Sequence, residues 1–187
     1  MKSALRLALI LLLPSTAWAD SWTIDTSHSD VSFGVTHMLV STVTGTFEQF
    51  SGTAETDANG KLTAVTGEVQ IVSVNTRNDK RDKHLQADDF FSSASFPTAT
   101  FTSTAVTPDG EGYKVAGKLT IRDVTKDVVF DVEPLRGPVR DRMGTTATTT
   151  IDRQDYGVRW SKTLDTGGLS VSNEVKLTLR IELKKVQ

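Results

Sequence analysis

The chain has 187 residues, of which 37% are hydrophobic and 24% charged, and this length and composition suit one globular domain with a sizeable core. Its 21 basic and 23 acidic side chains give a net charge of −2, so it lacks the broad basic surface of a nucleic-acid-binding protein. The absence of cysteine excludes disulfides, thiol catalysis, thiolate metal sites and a lipoprotein anchor cysteine.

The first 19 residues have the pattern of a signal peptide. Lys2 and Arg6 are basic, residues 7–13 form an unbroken apolar run, and Ala17-Trp18-Ala19 is a small-x-small cleavage motif. This run is far shorter than the ~20 residues that span a bilayer, and no later run is long enough, so we do not expect a membrane-spanning chain. We expect cleavage after Ala19 and export to a bacterial periplasm; a buried N-terminal helix is the alternative. Loss of Lys2 and Arg6 leaves 19 basic against 23 acidic residues, a mature net charge of −4.

A strict alternation of apolar and polar residues begins early in the mature chain. Val31, Phe33 and Val35 alternate with polar or small residues, and this period of two predicts a β-strand with one wet face. The next two segments, residues 43–54 and 62–74, change the phase of the alternation midway. A change of phase predicts a β-bulge, which bends and coils a strand.

One stretch without the strand pattern follows. Residues 78–91 have the sequence NDKRDKHLQADDFF, in which Asn78 is a suitable N-cap for a short helix. Leu85, Phe90 and Phe91 give this segment an apolar side. Because two adjacent phenylalanines need a surface on which to pack, we predict that the segment caps one mouth of the fold; a solvated connector is the alternative.

Strand patterns resume after this connector and continue to the C-terminus. They cover residues 97–106, 113–122, 128–132, 143–151 and 175–184. The last segment is the clearest, because five apolar residues alternate there with polar ones: Val175, Leu177, Leu179, Ile181 and Leu183. By contrast, residues 143–151 are rich in threonine, and Met143, Ala147 and Ile151 are the only large or apolar residues at odd positions.

These segments make about eight strands, several of them ten or more residues long, separated by turn signals such as Asp57-Ala58-Asn59-Gly60. Long, bent, hairpin-connected strands with one dry face form either a closed barrel or a sandwich. The strand lengths favour an all-β, antiparallel barrel of eight strands, because tilted strands need extra residues. A β-sandwich is the alternative.

The sequence contains no recognisable catalytic or metal-binding motif. His28, His37 and His84 lack the paired or HExxH spacing of metal ligands, so we predict no metal site. Ser27 lies beside His28, but there is no GxSxG elbow, and neighbouring residues on a strand point to opposite sides. We therefore predict no catalytic residues and no cofactor.

A series of short segments along the whole mature chain is shared with a known family. The segments are Trp22-Thr23-Ile24-Asp25 with His28-Ser29, Val31 to His37, Arg81-Asp82-Lys83-His84-Leu85, Asp89-Phe90-Phe91, Phe96-Pro97, Gly117 to Arg122, Val124-Thr125-Lys126, Arg153 to Val158, and Val171 to Val175. In this order they resemble the YceI-like family of lipocalin-like proteins, which are described as lipid or polyisoprenoid binders. Asp123 and Asp127 depart from the glycine and proline common in the family, and both lie in one hairpin.

The resemblance implies that residues 20–187 form an extended eight-stranded antiparallel barrel, which holds a long isoprenoid or similar amphiphile along its axis. It adds the ligand to the barrel that the alternation predicts. The family often forms dimers, and the sequence alone neither supports nor excludes a homodimer. The function expected from the resemblance is non-covalent binding and shielding or transport of a polyisoprenoid, quinone-like or fatty lipid.

The inward face of the predicted strands supplies the candidate residues of the lipid cavity. They are Val31, Phe33, Val35, Phe47, Phe101, Leu119, Phe130, Met143, Ala147, Val175, Leu177, Leu179 and Ile181. An eight-stranded barrel is just wide enough to hold one slim ligand or to fill itself with side chains. The threonine-rich strand favours an underfilled interior, and the alternative is that the phenylalanines fill the space as ordinary core.

Polar and aromatic residues of the cap and the rim are the candidates for contact with a lipid head group. They are Arg81, Asp82, His84, Phe90, Phe91 and Arg153. The alternative for the polar members is a structural network that ties the cap to the rim. Two other functions stay open on the sequence alone: a secreted hydrolase or isomerase that uses a cavity histidine, and a structural β domain with a dry core.

Overall fold

Antiparallel strands make up most of the computed structural model, which describes residues 20–162 and 170–187. The predicted signal peptide lies outside the described residues. In chain order the strand segments are β1 (Asp20–Ile24), β2 (Asp30–His37), β3 (Ser41–Phe47), β4 (Phe50–Thr56), β5 (Leu62–Gln70), β6 (Val74–Asn75), β7 (Thr98–Asp109), β8 (Gly112–Ile121), β9 (Val124–Val132), β10 (Arg136–Val139), β11 (Arg142–Asp152) and β12 (Val171–Lys185).

The segments join into eight long strands that close into a barrel. β1 with β2, β3 with β4, and β5 with β6 each form one interrupted strand, and the pairing then runs in chain order through β7, β8, β9 and β11 to β12. β12 returns to pair with both β1 and β2, which closes the ring. The predicted eight-stranded antiparallel barrel is therefore confirmed, and the sandwich is not the fold.

The predicted changes of phase coincide with interruptions of two strands. Glu48 and Gln49 separate β3 from β4, and one turn of 3-10 helix, Ile71–Ser73, separates β5 from β6. The segments on the two sides of an interruption have different pairing partners: β3 pairs with β2 and β6, whereas β4 pairs with β1 and β5. β1 and β10 were not predicted, because strands of five and four residues are too short to show an alternation.

One half of the barrel is filled with side chains. Its core contains Trp22, Ala54, Leu62, Val115, Phe130, Val132, Met143 and Leu183, all of them buried. The indole of Trp22 donates from Nε1 to Oγ1 of Thr56 at 3.0 Å, so the polar atom of this tryptophan is satisfied inside the core. This half is the packed end of the barrel.

The seam between β9 and β11 is short. The two strands pair only at Ala147 with Val132 and at Thr148 with Asp131, although both continue further. Beyond these pairs, a 3-10 turn, Arg153–Tyr156, contacts β9 and β12. Tyr156, with 2% of its surface exposed, packs there against Leu119 and Ile151. Side-chain packing thus closes the barrel wall where the backbone pairing of β9 with β11 ends.

The predicted helix is α1 (Asp79–Gln86), and the Asn78 side chain caps it by accepting from the Arg81 backbone N–H at 3.0 Å. The loop that follows carries Phe90 and Phe91 toward the barrel opening. In the described part of the chain, α1 and every other helix fall short of the length and apolar character that would cross a membrane.

Candidate functional site

A cavity occupies the half of the barrel that lies under α1. Its volume is about 330 Å³, within the roughly 300–1,000 Å³ typical of small-molecule sites. Every strand of the ring contributes to its mainly apolar wall: Ile24 (β1), Val31, Phe33 and Val35 (β2), Val43 and Phe47 (β3), Phe50 (β4), Gly67 and Val69 (β5), Ala99 and Phe101 (β7), Leu119 and Ile121 (β8), Phe130 (β9), Ile151 (β11), and Val171, Val175, Leu177 and Leu179 (β12).

The glycines of the barrel wall differ in the space that a side chain would have at each position. A Cβ built at Gly45 would lie 2.4 Å from the Phe33 ring, and one at Gly117 would lie 2.4 Å from the Phe101 ring. These two glycines therefore make room for aromatic rings. A Cβ built at Gly67 would meet nothing closer than 4.0 Å. Gly67 thus faces open space inside the cavity.

Ten of the thirteen residues predicted for the cavity line it: Val31, Phe33, Val35, Phe47, Phe101, Leu119, Phe130, Val175, Leu177 and Leu179. Met143, Ala147 and Ile181 do not, and their assignment to the cavity is wrong. All three pack into the core of the packed end. The reason is that alternation fixes the face of a strand to which a residue points but not its height along the barrel axis.

The cap closes over the cavity with aromatic rings. Phe90 stacks on Trp160, with centroids 5.3 Å apart, and His84 meets both rings edge-on at 4.9 and 5.5 Å. Phe91 packs against Phe47 of β3 with centroids 6.2 Å apart. His84, Phe90 and Phe91 all line the cavity, as does Trp160. The segment is therefore packed on the barrel mouth as predicted, not solvated.

The polar residues of α1 tie the cap to the rim through one threonine. Arg81 donates from Nε to Oγ1 of Thr76 at 2.7 Å and from its terminal nitrogen to the Thr76 carbonyl oxygen at 2.8 Å. Asp82 accepts from the Thr76 backbone N–H at 2.9 Å, and it does not line the cavity. Asp82 therefore belongs to a structural network that ties the cap to the rim. Arg81 is part of the same network and also lines the cavity.

Arg153 is a buried cation held by backbone carbonyls. With 6% of its surface exposed, it donates to the carbonyl oxygens of Ser172 at 2.9 Å, Val158 at 2.7 Å and Trp160 at 2.8 Å. No carboxylate of the described residues forms an ion pair with it, and burial lowers its pKa from the ordinary value. Arg153 fastens the segment that follows β11 to the start of β12, and it also lines the cavity.

Several site residues were not predicted. Tyr156, Val158 and Trp160 come from the irregular segment after β11, which has no periodic pattern. Burial raises the pKa of Tyr156 to about 12, so its phenol adds no charge to the wall. Arg122 donates to the Phe90 carbonyl oxygen at 2.7 Å and to that of Gly157 at 3.0 Å, which joins the cap to this segment. No local sequence signal marks such contacts.

The three histidines lie in different places. His37 and His84 line the cavity, and His84 Nε2 lies 2.8 Å from Oδ2 of Asp89. His28 lies instead beside Asp25 and Glu182, and ligand atoms of these three residues are all within 4.8 Å of one another. Glu182 alternates with inward-facing neighbours on β12, so this cluster is on the outer surface of the barrel.

The outer cluster is already neutralised by protein groups. The Arg142 guanidinium contacts Asp25 and lies 3.0 Å from Glu182 Oε1, so it holds the place that a metal cation would need. The Ser27 hydroxyl donates to the Asp25 carboxylate at 2.6 Å and lies 3.3 Å from Nδ1 of His28, so the carboxylate is its nearer acceptor. Donation by Ser27 first, and then by Arg142 and His28, holds the pKa of Asp25 well below its usual range.

Asp25→Asn is expected to flatten the loss of stability on acidification. Because the folded pKa of Asp25 is lowered from its ordinary value of 3.8, the unfolded chain binds more protons at acidic pH. The stability that Asp25 contributes is therefore fully present above pH 3.8 and is lost as the pH falls from there toward the folded pKa. Urea unfolding between about pH 5 and pH 2.5 measures this slope. Asp123→Asn, in the exposed β8–β9 turn, is the matched control and should keep the parent slope. An unchanged slope in Asp25→Asn would refute the linkage.

The closed ring and the apolar cavity under an aromatic cap define a lipocalin-like β-barrel, a class in which eight strands enclose an interior space. Within this class, the sequence model of the YceI-like domain matches residues 22–183. The chain belongs to the YceI-like family.

Known proteins agree with this assignment over nearly the whole domain. A UPF0312 protein of Staphylococcus aureus strain bovine RF122 is 37% identical over 169 residues, which are 87% of this chain and 96% of that protein. The structure of Burkholderia cenocepacia BcnA superposes with a TM-score of 0.75 at 24% identity, covering 85% of this chain and 98% of that one. A polyisoprenoid binding domain from Saccharophagus degradans superposes with a TM-score of 0.62 at 18% identity, covering 88% and 98%. The two structures share the fold.

Proposed function

We propose that the protein binds one long apolar amphiphile in its cavity and shields it from water without covalent chemistry. The observation that carries the proposal is the cavity itself, about 330 Å³ of space with a mainly apolar wall that no side chain fills. A polyisoprenoid, quinone-like or fatty lipid has the slim hydrocarbon shape that suits an eight-stranded barrel. The name of the Saccharophagus degradans domain supports the isoprenoid member of this set.

Burial of the hydrocarbon chain drives binding. Each methylene removed from water contributes ~0.8 kcal/mol, so a chain of about twenty carbons would contribute ~16 kcal/mol. That sum is near the practical limit of non-covalent affinity, and the loss of chain and side-chain freedom on binding makes the net value much smaller. The wall therefore needs no strong polar contact to hold its ligand.

The cap controls access to the bound chain. Phe90, Trp160 and His84 form one aromatic cluster over the cavity, and these rings must part to admit a ligand from this side. His37 and His84 are polar side chains of the wall at this end, and the head group would lie against them. Arg81 and Arg153, which donate to protein oxygens, support the rim around that position.

We also infer that the protein acts in the periplasm. The basic start, the seven-residue apolar run and the Ala17-Trp18-Ala19 motif support export through a signal peptide. A carrier that shields a hydrocarbon chain is useful where the chain must cross water between two membranes. The same apolar cavity would also serve a protein that stores or senses the lipid.

Denaturation of the purified protein, followed by mass spectrometry of the organic extract, tests the proposal. We expect one class of long-chain lipid to be released in a ratio approaching one per chain. The refolded, stripped protein should take up a radiolabelled polyprenol or fatty acid added from ethanol. Release of no lipid, together with failure of the stripped protein to take up either probe, would exclude the binding function.

A further inference from the structure

The turn that joins β2 to β3 exposes three consecutive apolar side chains. Met38, Leu39 and Val40 have 46%, 72% and 84% of their surfaces exposed. The turn is closed by the Val40 backbone N–H, which donates to the His37 carbonyl oxygen at 3.1 Å. We call residues 38–40 the hairpin tip. A run of three exposed apolar residues is unusual on a soluble surface unless it has a binding partner.

The backbone conformation of the hairpin tip is one that bulky residues rarely adopt. Met38 and Leu39 have φ angles of +51° and +61°. Turns with positive φ at both central residues favour Asn-Gly, Asp-Gly or Gly-Gly, and bulky residues there are true outliers. The local fold would therefore prefer small polar residues at the positions where this chain carries methionine and leucine. Strain of this kind concentrates at functional positions.

The tip extends the cavity wall into solvent. His37 and Val43, on the two strands that lead into the turn, both line the cavity. The Met38 N–H donates to the Ser170 carbonyl oxygen at 2.9 Å, next to the first residue of β12. Trp160, at the same mouth, is half-buried in the cap cluster, and an aromatic side chain with one wet edge suits a membrane interface.

We propose that the hairpin tip inserts into the outer layer of a lipid bilayer and docks the cavity mouth on the membrane that supplies or receives the ligand. The purpose of this docking rests on the proposed lipid-binding function, but the docking itself is measurable without a ligand. A bilayer suits the tip better than a protein partner does. Three side chains on one turn offer far less than the ~800 Å² per partner of a stable protein interface.

The attachment is apolar and weak. The mature chain is acidic, with 19 basic and 23 acidic residues after removal of Lys2 and Arg6, so general electrostatic attraction to anionic lipid does not drive it. Insertion of a few apolar side chains gives reversible binding, as even a single acyl anchor does. Weak, salt-insensitive docking lets a carrier leave the membrane with its cargo.

Flotation of the full mature protein with vesicles of phosphatidylethanolamine and phosphatidylglycerol tests the proposal. Leu39→Asp should lower the fraction bound by about tenfold or more, because it removes the leucine that would insert into the bilayer and puts a charge in its place. Val139→Asp is the matched control, since Val139 is 73% exposed in the β10–β11 hairpin. That hairpin lies at the other end of β12, a strand of 15 residues, and hence about 45 Å away.

The outcomes separate docking from lipid binding. We expect parental flotation for Val139→Asp, little change at high salt, and normal uptake of a radiolabelled polyprenol by Leu39→Asp from ethanol but slow uptake from vesicles. Failure of the parent to float, or equal flotation of parent and Leu39→Asp, overturns the docking proposal. So does a change of sedimentation coefficient in Leu39→Asp without vesicles, which would assign the tip to a second copy. Failure of every variant to take up polyprenol from ethanol counts instead against the lipid-binding function.

Discussion

Gly67→Trp is expected to abolish lipid loading while the stripped protein stays folded, with a stability within about 1 kcal/mol of the parent. Gly67 faces the cavity from β5, and the nearest atom to a Cβ built there is 4.0 Å away. The indole therefore has room to enter the space that the ligand would take. Uptake of radiolabelled polyprenol and urea unfolding of the stripped protein measure the two effects. The stripped form is needed because a bound ligand itself raises apparent stability.

Two further tryptophan variants locate the cavity along the barrel. Thr66→Trp, next in sequence, places the indole on the exposed outer face and should load normally. Ala147→Trp places it in the core of the packed end, where overpacking should destabilise the stripped protein by ~1–3 kcal/mol. Equal loading by Gly67→Trp and Thr66→Trp would show that ligand does not use this space.

Arg153→Met should destabilise the stripped protein by about 3 kcal/mol. The buried guanidinium makes three hydrogen bonds of 2.7–2.9 Å to carbonyl oxygens of Ser172, Val158 and Trp160. Each charged hydrogen bond contributes roughly 1.5–3 kcal/mol, and loss of one donor group leaves buried acceptors unsatisfied. The effects within one cluster do not add fully. Urea unfolding at neutral pH measures the change.

Arg159→Met is the matched control for this prediction. Arg159 lies in the same segment but is exposed, so its replacement should change stability by less than about 0.5 kcal/mol. The pair also decides between the two roles considered for Arg153. If Arg153→Met keeps parental stability and loses only lipid uptake, the residue contacts the ligand head group and does not fasten the rim.

Alternation made the barrel predictable from the sequence. On β12, Val175, Leu177 and Leu179 point inward as the period of two requires, and each lines the cavity. The same period extends unchanged to Ile181, which packs into the core of the packed end. The boundary between the cavity and the packed core is set by what lies opposite on other strands, so no local pattern reveals it.

In the cap, the sequence predicts the helix but not the contacts of its individual residues. Its helix was predictable because Asn78 at the N-cap and the charged residues after it are local signals. The partner of Arg81 and Asp82 was not, because Thr76 meets them only after the chain turns from β6 into α1. Arg122 lies in a hairpin more than thirty residues after Phe90, so no local pattern predicts its hydrogen bond to the Phe90 carbonyl oxygen.

The short seam between β9 and β11 affects how firmly the circumference of the barrel is fixed. An eight-stranded barrel closed by full ladders has a fixed circumference, because widening it breaks backbone hydrogen bonds. Here only two residue pairs join these strands, and Tyr156 closes the rest of the wall by side-chain packing. The circumference at the height of the cavity can therefore change by repacking one ring. The barrel is stiff at its packed end and adjustable in width around the cavity.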